Sequence, residues 1–150
     1  MKLPKPLLVS VVGPTAVGKT DFTIKLATHF GSEIISVDSR QFYKEMEIGT
    51  AKPSKKELKK VPHHLINSHH IHEEINAGHF EMLAIDLLNQ LYQKHRIAFA
   101  VGGTGLYFKA LWHGLDPVPK VDHQIRKELN DQFKAEGLHS MLEELKAKDI

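Results

Sequence analysis

Apolar residues in this chain fall into short unbroken runs and longer spaced series. Leu7-Leu-Val-Ser-Val-Val12, Glu33-Ile-Ile-Ser-Val-Asp38 and Arg96-Ile-Ala-Phe-Ala-Val101 are runs of the first kind. Their length and β-branched content predict strands, the first over about Pro6–Val12 and the other two buried. Asp21-Phe-Thr-Ile-Lys-Leu-Ala-Thr-His-Phe30 has helical spacing, and Gly31 is a stop signal, so a helix is expected over Lys19–Phe30. Phe80, Leu83, Ala84, Leu87, Leu88 and Leu91 recur at three and four. They predict one buried face of a long helix, capped by Asn76 and running to about His95. A further helix is expected from Gly105 to about His113, and two amphipathic ones over His123–Gly137 and Ser140–Lys148.

The connecting segments carry turn chemistry. Ser39–Met46 predicts a short helix or turn, and Ile48-Gly-Thr-Ala-Lys-Pro53 a loop. Ser54-Lys-Lys-Glu57 fits a capping box opening a short helix through Lys60. Pro62–His72 reads as irregular, with a strand at Leu65-Ile66. Pro117 and Pro119 make Gly114–Val121 a boundary.

Directly behind the first strand stands Gly13-Pro-Thr-Ala-Val-Gly-Lys19-Thr20, which reads G-x-x-x-x-G-K-T. Its glycines let the backbone curl so that N–H groups face inward at a helix N-terminus. Lys19 brings a charge to phosphate oxygens, and the Thr20 hydroxyl can reach Mg²⁺. The order of elements predicts an α/β fold: a three-layer P-loop NTPase-like sandwich with a mainly parallel sheet. Ligands then belong at the carboxyl ends of the strands. The phosphate loop, Asp38 and Gly102-Gly-Thr-Gly105 are all expected at that edge.

Asp38 ends an apolar strand. It reads either as a cap for the next segment or as a carboxylate opposite the phosphate loop, acting as general base or holding metal-bound water. An ATPase would need an acid after another buried strand, whereas the third run ends in Gly102. This favours a transferase or kinase. Gly102-Gly-Thr-Gly105 is not a dinucleotide fingerprint; Gly102 and Gly103 read as glycines that let a ligand approach the backbone. Thr104 reads equally as a substrate donor or a helix cap.

Composition narrows the class. Hydrophobic residues at 41% support a packed core, and no run of 18 apolar residues suggests a membrane span. Cysteine is absent, so disulfides and thiolate zinc sites are excluded, and a cytosolic protein is expected. The net charge of +2 neither demands nor excludes a nucleic-acid partner. Lys52, Lys55, Lys56, Lys59 and Lys60 read either as a solvated face or as a polynucleotide backbone contact. His63, His64, His69, His70 and His72 have no recognised zinc spacing and suggest a surface loop with substrate contacts at most.

Taken together, several segments resemble the tRNA dimethylallyltransferase (tRNA isopentenyltransferase) family. They are Gly13–Thr20, Ile35-Ser-Val-Asp-Ser-Arg-Gln-Phe-Tyr43, Met46-Glu-Ile-Gly-Thr-Ala-Lys-Pro53, His63-His-Leu-Ile66, Ala77-Gly-His-Phe80 and Val101-Gly-Gly-Thr-Gly-Leu-Tyr107. The resemblance implies transfer of a dimethylallyl group from its diphosphate to the exocyclic amine (N6) of the adenosine just 3′ of the tRNA anticodon. It implies that Gly13, Pro14, Thr15, Ala16, Val17, Gly18, Lys19 and Thr20 hold the diphosphate, with Mg²⁺ at Thr20. Asp38 would be the base, with Thr15 and Lys19 at the leaving group. Asp38, Ser39, Arg40, Gln41, Thr104 and Arg126 would meet the tRNA anticodon stem-loop. A cytoplasmic monomer without membrane contact is expected.

Family members are about twice as long as this chain. Residues 1–118 would therefore be an incomplete P-loop core, and residues 119–150 the opening helices of a truncated helical tRNA-binding insertion. Three other readings compete. A P-loop small-molecule or nucleotide kinase would need an arginine clamp, and the chain has only Arg40, Arg96 and Arg126. An adenylate isopentenyltransferase would share the motifs but act on free nucleotide. An RNA-binding fragment without turnover is the third.

Overall fold

The computed structural model describes residues 5–116 and 121–149, which divide into two compact units at Leu115/Asp116. The predicted boundary at 118/119 lies outside the described residues.

In the first unit, strands β1 (Leu7–Val12), β2 (Ile34–Val37), β3 (His63–His64) and β4 (Ile97–Gly102) form one parallel sheet in the order β1-β4-β2-β3. The pairings Val12↔Gly102 and Val37↔Gly102 bring three carboxyl ends to one rim. Gly102 makes that convergence possible. A Cβ there would lie 1.9 Å from the Val37 carbonyl oxygen, so only glycine fits. Gly102 thus gives a neighbouring strand room, and with Gly103 it also lines the cavity at the rim.

Helix α1 (Lys19–Phe30) has the predicted bounds. Gly31 closes it at φ 59°, while the Ser32 N–H donates to the Ala27 carbonyl at 2.9 Å. Ile24 and Ala27 of α1 pack with Ile34, Val61, Phe99 and Val101. A second core holds Phe42, Phe80, Ala84, Leu88, Leu91, Tyr107 and Phe108. It joins the sheet to α3 (Ala77–Leu91) and α4 (Gly105–His113). The rings of Phe80 and Tyr107 stack at 4.6 Å, and Tyr107 donates its buried hydroxyl proton to the Ile75 carbonyl at 3.0 Å.

Two boundaries differ from expectation. The edge strand is His63–His64, not Leu65–Ile66, because Leu65 turns to φ 61° and leaves the extended region. Helix α3 ends at Leu91, and a tight turn with Lys94 N–H to Leu91 carbonyl (2.9 Å) follows. That turn carries His95 to Glu33. Ser39–Met46 is a series of turns with a single bridge, Tyr43 to His69. The short helix α2 (Lys55–Leu58) has the expected capping box between Ser54 and Glu57.

The second unit contains α5 (His123–Glu136) and α6 (Leu138–Lys148), joined at Gly137 with φ 79°. The Asp122 carboxylate caps α5 by accepting from the Gln124 N–H at 2.9 Å. Among the described residues no helix is long and apolar enough to cross a membrane.

Candidate active site

The phosphate loop follows β1 and ends as the first turn of α1. Gly18 takes φ 88° as the residue before the helix and makes no side-chain cap. The amides of the first turn are thus left for an anion. Ala16 also lies at positive φ, 65°, which costs a non-glycine residue of order 1 kcal/mol. The Lys19 ammonium folds back over the loop and donates to the Pro14 carbonyl.

Two cavities open at the rim. The first, of about 280 Å³, is lined by Thr15, Ala16, Gly18, Lys19 and Thr20 and by Asp38, Gln41, Ala51, Pro53, Glu57 and His63, among others. The second, of about 240 Å³, lies among Gly13–Thr15, Asp38–Arg40, Gly49, Thr50, Gly103 and Thr104. Thr15, Asp38 and Gly103 line both. The structure therefore gathers Thr15, Lys19, Thr20 and Asp38 around a cleft of two lobes, with Thr15 and Asp38 where the lobes meet. Val17 lines neither lobe and is 61% exposed. Arg126 is an exposed residue of α5 in the second unit.

Asp38 follows the last residue of β2, and its Oδ1 accepts from the Arg40 N–H at 3.0 Å. One oxygen thus closes a turn, while the residue lines both lobes. Arg40 itself is exposed, and Ser39 lines only the second lobe. Thr104 makes no cap bond; its Oγ1 accepts from the Ser39 N–H at 3.1 Å and ties α4 to the segment after β2.

Gln41, which the resemblance places at the tRNA, lines the first lobe and also bonds within the protein. Its amide nitrogen donates to the carbonyls of Thr50 (3.1 Å) and Ala51 (3.2 Å), while Ser36 donates its hydroxyl proton to Oε1 (2.9 Å). Thr50–Pro53 belongs to the Met46–Pro53 segment of the family resemblance, but its Gly and Pro signalled only a loop, not that Ala51 and Pro53 wall the cleft.

Among the clustered histidines, His63, His64, His69 and His70 each bond a protein partner through one ring nitrogen. His64 Nε2 lies 2.6 Å from Glu33, and His70 Nδ1 lies 2.7 Å from Glu45. Glu33 is partly desolvated, which opposes its charge, yet the bonds from His64 and His95 outweigh this and hold its pKa below the ordinary carboxylate value. His63 donates from Nδ1 to the Val61 carbonyl at 2.8 Å, leaving Nε2 buried and unpaired. Burial pushes the His63 pKa down, with the Val61 bond and Glu57 pulling the other way. No three His, Asp or Glu side chains gather as a metal site among the described residues.

Residues 41–150 match the IPP transferase family model. The chain belongs to the IPP transferase family. It is 49% identical over 142 residues to the tRNA dimethylallyltransferase of Christiangramia forsetii, covering 95% of this chain and 47% of that protein. With the tRNA dimethylallyltransferase of Cytophaga hutchinsonii it shares 46% identity over the same shares of each chain. The crystal structure of the full-length tRNA isopentenylpyrophosphate transferase from Bacillus halodurans superposes with a TM-score of 0.73 at 39% identity, covering 97% of this chain and 48% of that one. A eukaryotic dimethylallyltransferase captured acting on tRNA superposes with a TM-score of 0.72 at 28% identity, over 87% and 36% of the two chains. This IPP transferase chain spans about half the length of the curated relatives it matches.

Proposed function

We propose that this chain carries the reaction centre of a tRNA dimethylallyltransferase. The observation that supports the reading best is the meeting of two lobes at Thr15 and Asp38, one lobe backed by Lys19 and the N-terminus of α1. Dimethylallyl diphosphate is the donor. Its diphosphate lies in the amide-lined lobe, and the acceptor adenine enters the other. As the allylic C–O bond breaks, its electron pair leaves with the diphosphate. Backbone amides and the Lys19 ammonium stabilise the growing negative charge. The N6 amine forms the new C–N bond, and its proton passes to the Asp38 carboxylate. Adenine N6 is a poor nucleophile because its lone pair is delocalised into the ring, so a base at this point lowers the barrier.

Mg²⁺ is the expected cation. Thr20, Asp38 and Asp21 line the first lobe, residues with hard oxygen donors that suit a cation held mainly by substrate phosphates and water, although the Asp21 carboxylate is paired with Lys25. Thr20 would hold it, and bound there it would neutralise diphosphate charge. Helices α5 and α6, with Arg126, are assigned to the part that holds the tRNA anticodon stem-loop. The protein would act in the cytoplasm as a monomer.

The test is mass spectrometry of an unmodified anticodon stem-loop incubated with the full-length enzyme and dimethylallyl diphosphate. One added five-carbon unit on the target adenosine is expected. Asp38→Asn should slow transfer by about 10²–10⁴-fold while pyrophosphate binding survives. Lys19→Ala should weaken pyrophosphate binding by roughly tenfold or more. Transfer near the wild-type rate in Asp38→Asn would remove the proposed base.

A further inference from the structure

Lys52 stands between two residues that line the first lobe, Ala51 and Pro53, and does not line it. Its side chain runs behind the wall. Nζ donates to the Tyr43 carbonyl at 2.5 Å and to Asn67 Oδ1 at 2.7 Å. Lys52 is half-buried, unlike the exposed Lys55, Lys56, Lys59 and Lys60. It forms no ion pair among the described residues. Burial lowers its pKa, and the more distant Glu47 and Glu45 only partly oppose this. An ammonium withdrawn from water towards neutral oxygens is costly unless those bonds fix something of value.

What they fix is a strained wall. Ala51 sits at φ 49°, a conformation that costs a residue with a Cβ and persists only where the surroundings enforce it, whereas Asn67 sits at φ 51°, which asparagine accepts more readily. Gln41 holds the carbonyls of Thr50 and Ala51 from one side, and Lys52 ties the next residue to the turns after β2 and β3 from the other. Three loop segments distant in sequence therefore meet at one ammonium.

We propose that Lys52 is a positioning residue that holds Ala51 in its left-handed conformation, and so sets the wall of the diphosphate lobe opposite the phosphate loop. Resting on the proposed function, this makes Lys52 a part of donor binding without contact to the donor. It also separates Lys52 from its lysine-rich neighbours: its charge is spent inside the protein rather than offered to a polynucleotide.

The test uses the full-length protein with Lys52→Met, Lys52→Arg, Asn67→Gly and Ala51→Gly, the last both alone and combined with Lys52→Met. Asn67→Gly removes the acceptor while accepting positive φ freely, which keeps the question open to measurement should Lys52→Met fail to fold. Amide hydrogen exchange at Lys44 and His69, whose N–H groups donate to the His69 and Phe42 carbonyls between the two turns that Lys52 ties, is read first, because it needs no ligand. Lys52→Met and Asn67→Gly should speed it about tenfold or more relative to amides of α1. Unchanged exchange in either variant overturns the brace. Calorimetry with inorganic pyrophosphate and Mg²⁺ is read second. Lys52→Met should bind about tenfold more weakly, Lys52→Arg less so, and adding Ala51→Gly to Lys52→Met should recover most of the loss, since glycine takes φ 49° without enforcement.

Wild-type binding in Lys52→Met, or no recovery on adding Ala51→Gly, would mean that Lys52 does not act through the wall. A salt-dependent loss of stem-loop binding in Lys52→Met, with exchange and pyrophosphate binding intact, would make it a polynucleotide contact and overturn the proposal. If the wild type binds no pyrophosphate, the donor reading falls. The exchange result then still decides the brace.

Discussion

Two of the segments that line the first lobe each place an alanine at positive φ, Ala16 at 65° and Ala51 at 49°. The Gly13–Thr20 segment gains its shape from its own neighbours. β1 feeds it, α1 continues it, and the Lys19 side chain closes over Pro14. The Thr50–Pro53 segment has no regular element directly before it, and its carbonyls are held by Gln41, nine and ten residues away. Lys52 extends that hold to Asn67, 15 residues on. One wall is a local backbone construction, and the other is a tertiary one. Damage to the first should therefore cost ligand binding with little loss of stability, whereas damage to the second should cost both.

The largest effect is expected beneath both walls. Gly102→Ala forces a Cβ into the Val37 carbonyl at the point where three strand ends converge. A loss of at least ~3 kcal/mol is expected in urea unfolding, together with loss of pyrophosphate binding. A well-folded Gly102→Ala of near wild-type stability would show that the rim tolerates strand separation, and the shared floor would disappear from the comparison.

Gln41→Ala separates the walls more finely. It leaves the Ser36 hydroxyl and two wall carbonyls without partners, so about 1–3 kcal/mol of stability should be lost. Pyrophosphate affinity should fall with it. Lys19→Ala should move affinity and leave the unfolding midpoint nearly unchanged. Equal stability losses in the two variants would erase the distinction.

The smallest effect concerns His63, which lines the lobe between the walls. Its folded pKa is depressed by burial, so below its unfolded value of about 6.5 the unfolded chain binds more protons than the folded one. Stability is full above that value and declines as pH falls through it. Urea midpoints at about pH 7.5 and about pH 5.5 should show this decline in the wild type and less of it in His63→Gln. An identical decline in both would assign it to other groups. Glu33 is one such group, but its depressed pKa acts lower still, as pH falls below the ordinary carboxylate range.

What was legible followed the range of the forces. The Lys19–Phe30 helix, its Gly31 stop and the Ser54–Glu57 capping box are decided within a few residues, and they stand where the pattern put them. The edge strand was misplaced because a two-residue strand leaves no periodicity to read, and its position is set by pairing with Ile34 and Ile35. Gly102 was recognised as a glycine with a purpose. The nature of the purpose depended on a strand that is more than sixty residues away along the chain.

The sequence alone determined the alternation of strands and one-faced helices, the phosphate loop, and an acid at the end of the second strand. Each depends on hydrophobic periodicity or on backbone preferences that act over one or two turns. Only the tertiary structure decided that Asp38 and Thr15 share the junction of two lobes. It alone decided that Gln41 serves a wall, and that Lys52 is drawn inward while its lysine neighbours remain in water. Those outcomes turn on which loops are brought together by the order of strands in the sheet, and loop-to-loop contacts between distant segments leave no repeating pattern along the chain.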